Sequence, residues 1–326
     1  KTNLPIEIKC SNFTNGSAKE THVVINYTDC TANAAKQFED LNTAIKHLYN
    51  NELKGLNVVW KRFFVSDAAN QSAFFDTSPQ NFSVVQQPPL NGTKLSVWLY
   101  YVSEGDVKHN GNKTSLTHST YTHYYHTQLH NDNGNVENQT EAVFKNYNDN
   151  LRTLDCNLAD NCIRTWIYVK DVDNNYKGML TVRREYFVDE GLTKNTHYIA
   201  STGIEGSYTK PSVLFLMDAY AIKGIKPEQV KSLHAPEHLS PTHIYGVTFE
   251  RGTAVDYGDR RHIYISGTAS IDNKGEIIHK GDVMRQADRT FENVQALLSE
   301  AGAGMADVAQ MIVYLRDTAD YKNIYR

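Results

Sequence analysis

A carboxyl group and a guanidinium in the second half of the chain have the types that acid-assisted hydrolysis needs. Glu205, closing the string Thr202-Gly203-Ile204, is a general acid if it sits in a cleft. Arg251, in Val247-Thr248-Phe249-Glu250-Arg251-Gly252, carries the planar fork that binds a carboxylate through two parallel hydrogen bonds. Further on, Ser266-Gly267-Thr268 joins a glycine, which lets backbone approach a ligand closely, to hydroxyls that both donate and accept. His279 is a further polar partner. The sequence alone leaves open that Glu205 is an exposed hairpin glutamate, that Arg251 is a surface residue and that Gly267 serves only the twist of its strand.

Other chemistries are disfavoured. His118, His123, His126 and His130 could suggest a metal site, but their spacing on a strand gives mixed facing rather than one ligating face, so no metal is expected. No GxGxxG, P-loop, GxSxG or HExxH string occurs, which argues against nucleotide cofactors and serine-hydrolase chemistry, and no cofactor is expected. The formal net charge is -4, from 33 Lys and Arg against 37 Asp and Glu, and no basic cluster marks a nucleic-acid partner. No stretch approaches the roughly 18 apolar residues of a membrane helix, so no membrane partner is expected either. Cys10, Cys30, Cys156 and Cys162 lack zinc spacing and read as reduced thiols. Eight Asn-X-Ser/Thr sequons fall in an Asn-rich half, where chance explains most of them. A cytoplasmic location is expected, with export left open because Lys1 is not a methionine.

Stepping outward from these residues, a unit that would position them occurs three times: an amphipathic helix, a turn, and an apolar strand ending in Asp. The copies run from Phe38 to Asp67, from Phe144 to Asp171 and from Phe291 to Asp317, separations of 29, 27 and 26 residues. Apolar residues in each helix fall at three- and four-residue steps, and the strands are rich in β-branched and aromatic residues. Phe64, Tyr168 and Tyr314 recur in register. A second helix and a closing hairpin follow the first two copies, with strands at 95–102 and 212–222. A front hairpin precedes the helix, clearest at 262–278 in the third copy and placed at 121–134 in the second. None is expected in the first. The order predicts an α+β layer pair, a mixed sheet with two helices on one face, repeated as domains at 18–104, 115–224 and 242–326. Linkers are expected at 104–115 and 224–242.

The third domain carries the most specific text. Ser266-Gly267, then Thr290-Phe291-Glu292-Asn293-Val294 and Val313-Tyr314-Leu315-Arg316-Asp317, resemble the Rid family, also called YjgF or L-PSP. Ser266-Gly267-Thr268-Ala269-Ser270-Ile271, with His279-Lys280-Gly281-Asp282-Val283 and Gln286, and Ser201-Thr202-Gly203-Ile204-Glu205-Gly206, resemble the chorismatases built on the same fold. Coverage is best from 201 to 326 and only architectural in the first domain. Rid proteins are homotrimers with pockets between subunits, so the resemblance implies a monomer whose three domains form an intramolecular pseudo-trimer. It further implies substrate binding by Thr202, Gly203, Arg251, Ser266, Gly267, Thr268 and His279, with Glu205 as acid. The implied activity is cofactor-free hydrolysis of an anionic enol ether or enamine carboxylate such as chorismate, in which carbon is protonated and water attacks the cation. A Rid-type imine or enamine deaminase and a non-catalytic binding protein are the alternatives. Tyr125-His126 is read as the second domain's counterpart of Ser266-Gly267, and Ala200-Ser201 stands near the place of the family arginine.

The third copy is also short. Closing the unit takes 34 residues from Asp67 to Tyr101 and 50 from Asp171 to Ala221, whereas nine residues follow Asp317. The expectation is a missing closing segment, in which chorismatases carry their proposed acid, or an open sheet edge.

Overall fold

The computed structural model describes residues 3–75 and 82–325. Its first unit opens with a hairpin, β1 (Ile6–Asn15) and β2 (Ala18–Tyr27), paired antiparallel over their whole length. Helix α1 (Ala34–Asn50) follows, started by the Asn33 side chain accepting from the Lys36 N–H and burying Leu41, Ala44 and Leu48 as one stripe. Then come β3 (Asn57–Val65), the short helix α2 (Ala68–Gln71), β4 (Phe82–Gln86) and β5 (Leu95–Val102). The sheet order is β1-β2-β5-β3-β4, with β3 and β4 parallel.

The second unit repeats this plan. It runs β6 (Asp106–Asn110), β7 (Lys113–His118), β8 (Tyr121–His130), α3 (Val136–Arg152), α4 (Leu158–Asn161), β9 (Cys162–Val169), α5 (Val172–Asp189), β10 (Ala200–Glu205) and β11 (Phe215–Lys223). Its order, β10-β9-β11-β8-β7-β6, matches the first sheet with one strand added. In the third unit β12 (Val230–Leu233), β13 (Gly252–Asp256) and β14 (Arg261–Ile265) form a three-stranded sheet, followed by α6 (Val283–Glu300) and a short α7 (Tyr321–Ile324). The architecture is α+β, in three tandem units.

Several expectations are corrected. The first unit does have a front hairpin, and it begins at Ile6 rather than at 18. Apolar alternation in β1 is confined to Ile6, Ile8 and Cys10, and the rest of the strand, apart from Phe13, is polar and mostly exposed. The stretch expected as a linker at 104–115 holds β6 and part of β7, which extend the second sheet, and β12 occupies part of the linker expected at 224–242. The second front hairpin is β7–β8, turning at Ser119 and Thr120, not at 131–134. The third is β13–β14, and the 262–278 pairing shrinks to a single bridge between Ile271 and Ile277. The third copy of the apolar strand, 308–315, has no regular secondary structure and belongs to no ladder among the described residues. In the first two units that strand is held by a closing strand, β5 or β11. Without such a neighbour apolar text cannot make a sheet hydrogen bond.

Three hydrophobic clusters lie between each unit's sheet and its helices. A fourth joins the units and draws on Trp60 and Trp98, on Trp166, Tyr168 and Tyr220, and on Val255 and Tyr257. At one end of this shared core Glu20 accepts from Arg260 at 2.7 Å and meets His262 at 2.8 Å, tying the first unit to the third.

Candidate functional site

Strand register defines two comparable junctions. Lys61 pairs with Phe82 and Thr165 with Ser201, so Trp60 corresponds to Arg164, Arg62 to Trp166 and Phe82 to Ser201. At the second–third junction the Gly267 N–H donates to the Ser201 carbonyl at 3.1 Å. At the first–second junction the Thr127 hydroxyl and the Gln128 amide donate to the Phe82 carbonyl at 2.8 and 2.9 Å. The counterpart of Ser266-Gly267 is therefore Thr127-Gln128, which corrects the reading of Tyr125-His126 by two residues.

The second–third junction brings together Ser201, Thr202, Ser266, Gly267 and Arg164. The Ser266 hydroxyl donates to the Glu250 carbonyl at 2.5 Å and accepts from the Ser201 N–H at 2.9 Å. A Cβ on Gly267 would stand 3.3 Å from the Thr202 methyl, which is why the close approach uses glycine. Thr268 turns its hydroxyl onto the Ser266 carbonyl. Ser266 and Gly267 thus stitch two units together, and their polar groups are spent on that seam rather than offered as a free donor array.

Arg164 is the residue that sequence reasoning missed. It projects from β9 into the shared core, is only 5% exposed, and its Nη2 donates to Thr202 Oγ1 at 2.6 Å. Its guanidinium carbon lies 5.0 Å from the Trp166 ring centroid, and Nη1 has no hydrogen-bond partner among the described residues. Burial, with Arg62 nearby, pushes its pKa down to about 9, so it remains a cation at neutral pH. An arginine inside a strand buried along its entire length is the signal that could have found it.

The other expected residues lie elsewhere. Arg251 is buried, but its Nε and Nη2 donate to the Ser240 carbonyl at 3.1 and 2.8 Å, which commits the fork to the loop before β13. Both carboxylate oxygens of Glu205 accept backbone amides, from Asp171 at 3.0 Å and Val172 at 2.6 Å, so this residue caps α5 instead of facing the seam. Gly203 lies on the helix side of β10, where a Cβ would stand 3.2 Å from the Tyr176 ring. His279 is exposed, in a left-handed turn at φ 59° before α6. Of the four histidines weighed as ligands, His118 lies with Glu104 and Asp259, their ligand atoms within 4.8 Å of one another. The Arg260 guanidinium already bonds both His118 and Asp259 there, filling the place of a cation.

At the first–second junction Arg62 and Asp218 are fully buried and paired. Nε and Nη2 of Arg62 donate to Asp218 Oδ2 at 3.1 and 2.8 Å, and Oδ1 accepts from the Gln128 N–H at 2.8 Å.

The endoribonuclease L-PSP family model matches residues 253–326, the segment that carries the Ser266-Gly267 seam. That segment, residues 253–326, is therefore similar to the Rid (L-PSP) family. A RutC family protein of Pyrococcus abyssi is 45% identical over 60 residues, 18% of this chain and 46% of that protein. The 3-aminoacrylate deaminase RutC of Acinetobacter baylyi is 36% identical over 62 residues, 19% of this chain and 49% of the enzyme. The chain spans about half the length of these curated Rid relatives. A crystal structure of chorismatase superposes with a TM-score of 0.60 at 16% identity, covering 82% of each chain, a likeness of fold. Among the described residues no helix is long and apolar enough to cross a membrane.

Proposed function

We propose that the second–third junction binds a small carboxylate, and that this Rid-like protein is a cofactor-free hydrolase of an anionic enol ether or enamine, with chorismate the first substrate to test. Arg164 carries the reading. A buried cation with one nitrogen unpartnered is costly unless an anion completes it, and a planar carboxylate matches the guanidinium edge. Thr202 holds the opposite nitrogen and Trp166 lies 5.0 Å away, so the fork is oriented before a ligand arrives. For an enol ether, protonation at the terminal vinyl carbon gives an oxocarbenium ion, water adds to it, and collapse releases the alcohol and pyruvate. The anchor comes from Arg164 in place of Arg251, and Glu205 is not the proton donor of this junction. The partner in this reading is a small molecule, and the units act within one monomer.

A deaminase is the second reading, favoured by the match to 3-aminoacrylate deaminase. Enamine and imine carboxylates need the same anchor and release ammonia instead of an alcohol. Incubation with chorismate, with pyruvate measured by a coupled reduction, separates the two from ammonia release in an imino-acid generating system. Arg164→Gln should abolish whichever activity appears. If folded protein yields neither product while carboxylates still raise its Tm, binding without turnover replaces both readings.

A further inference from the structure

The sheet of the first unit ends on a strand whose outer side is open along its length. Among the described residues β1 has β2 on one side and no strand on the other, and it runs ten residues without a bulge or an internal proline. Brevity, bulges and prolines are the usual ways to blunt an edge, and β1 uses none of them. The outer strand of the second sheet differs: β6 has five residues, and its His109 meets the Val58 backbone, so that edge is short and lies against β3. The backbone fixes which groups of β1 face outward. The Thr28 N–H donates to the Pro5 carbonyl at 2.8 Å, and Ile6 stands opposite Tyr27. Odd-numbered residues of β1 therefore bond to β2, while Ile6, Ile8, Cys10, Asn12 and Thr14 turn their N–H and C=O groups to the open side.

The side chains say what fits that edge. Ile6 and Ile8 pack on the core of the first unit, while Glu7 and Lys9 lie on the opposite face, exposed and 3.4 Å apart. A second copy of this strand, related by a two-fold axis, would pair with it antiparallel, and charge chooses the register. Centred on Glu7 or on Lys9, like charges would stand directly opposite each other. Centred on Ile8, Glu7 faces the partner's Lys9, Lys9 faces the partner's Glu7, Ile8 meets the partner's Ile8, and Ile6 meets the partner's Cys10. The charged pairs then fall at non-hydrogen-bonded positions, where opposing side chains approach most closely. The apolar row on the other face carries the core of the first unit across the axis.

We propose that β1 is a self-association surface, through which two copies of this chain pair edge to edge in the register centred on Ile8. Each chain keeps its own inter-unit junctions, so this dimer is independent of any turnover at Arg164. Sedimentation velocity over a concentration series reads the association, with a reversible dimer expected. Glu7→Lys makes both charged pairs repulsive and should weaken dimerisation about tenfold or more. Lys9→Glu should act alike, and the double variant Glu7→Lys with Lys9→Glu rebuilds both pairs in reverse and should regain the dimer. Cys10→Pro removes an N–H that bonds nothing in its own sheet, so it should abolish association while near-ultraviolet circular dichroism stays unchanged. Ile6→Cys, oxidised, should give a covalent dimer on a non-reducing gel through the partner's Cys10. The proposal is overturned if the folded protein sediments as a monomer up to about 100 μM. It is equally overturned if a dimer forms but Glu7→Lys leaves it unchanged, or if the double charge reversal fails to recover it.

Discussion

The two inter-unit junctions are built from equivalent strands and filled in opposite ways. Where the second–third junction has Arg164 beside Trp166, the first–second has Trp60 beside Arg62, so arginine and tryptophan exchange places along the same strand. Arg62 is paired with Asp218, whereas Arg164 has a threonine and an aromatic face. A guanidinium that finds its carboxylate inside the fold serves the fold first. One that does not is, in the function proposed above, the anchor for an anion from outside. The two arginines thus differ in pairing state although they occupy neighbouring places in the same repeat.

The largest test of this contrast sets Asp218→Ala against Arg164→Met. Removing Asp218 strands a buried cation and should cost about 3–5 kcal/mol. Replacing Arg164 by an apolar side chain of similar length removes an unmatched buried charge and should raise stability. Urea midpoints of the two variants read both signs, and equal destabilisation would erase the distinction. Acid should act on neither junction but on the end of the core that all units share. Burial pushes the His22 pKa down to about 4 and that of His123 to about 3. Their stabilising contribution is whole above the unfolded value near 6.5 and is lost as pH falls toward those folded values. Glu20 is held well below the carboxylate range by His262 and Arg260 against its own desolvation, so its contribution is lost only below its unfolded value. Tm measured from pH 8 to pH 3 should fall from about pH 6.5, and a flat profile would place these histidines differently.

A smaller effect comes from closeness of packing. A Cβ on Gly206 would stand 2.9 Å from Val85 and 3.0 Å from the Tyr168 Cβ, against 3.3 Å from Thr202 at Gly267. Gly206→Ala should therefore destabilise by about 1–3 kcal/mol and Gly267→Ala by less, in thermal unfolding. Glu205→Ala is the mildest, at about 1 kcal/mol for a lost helix cap, with carboxylate affinity unchanged. A change in affinity would return Glu205 to the site.

Legibility followed the range of the interaction. Helices α1, α3 and α6 were readable because their apolar stripe and side-chain cap lie within a few residues of each other. Strands β3 and β9 were readable because burial on both faces leaves near-continuous apolar text. The β1–β2 hairpin was not, since only Ile6 and Ile8 of its outer strand pack against the core and the rest is mostly polar. Thr127-Gln128 was mistaken for Tyr125-His126 because only pairing sets register, and nothing local marks a shift of two. Arg251 looked like an anchor and Arg164 like strand text, although their partners, Ser240 and Thr202, decide the roles.

Three similar units in succession, the central helices α1, α3 and α6, and the Rid-like text around Ser266-Gly267 can be read from the chain alone. Those properties rest on periodicity and short-range chemistry, which a chain carries wherever it goes. Which guanidinium is paired, where Glu205 spends its oxygens, and that 308–315 joins no sheet among the described residues are matters of folding. Each of these depends on a partner tens to hundreds of residues away, and a charge or a strand edge has no role until that partner is in place.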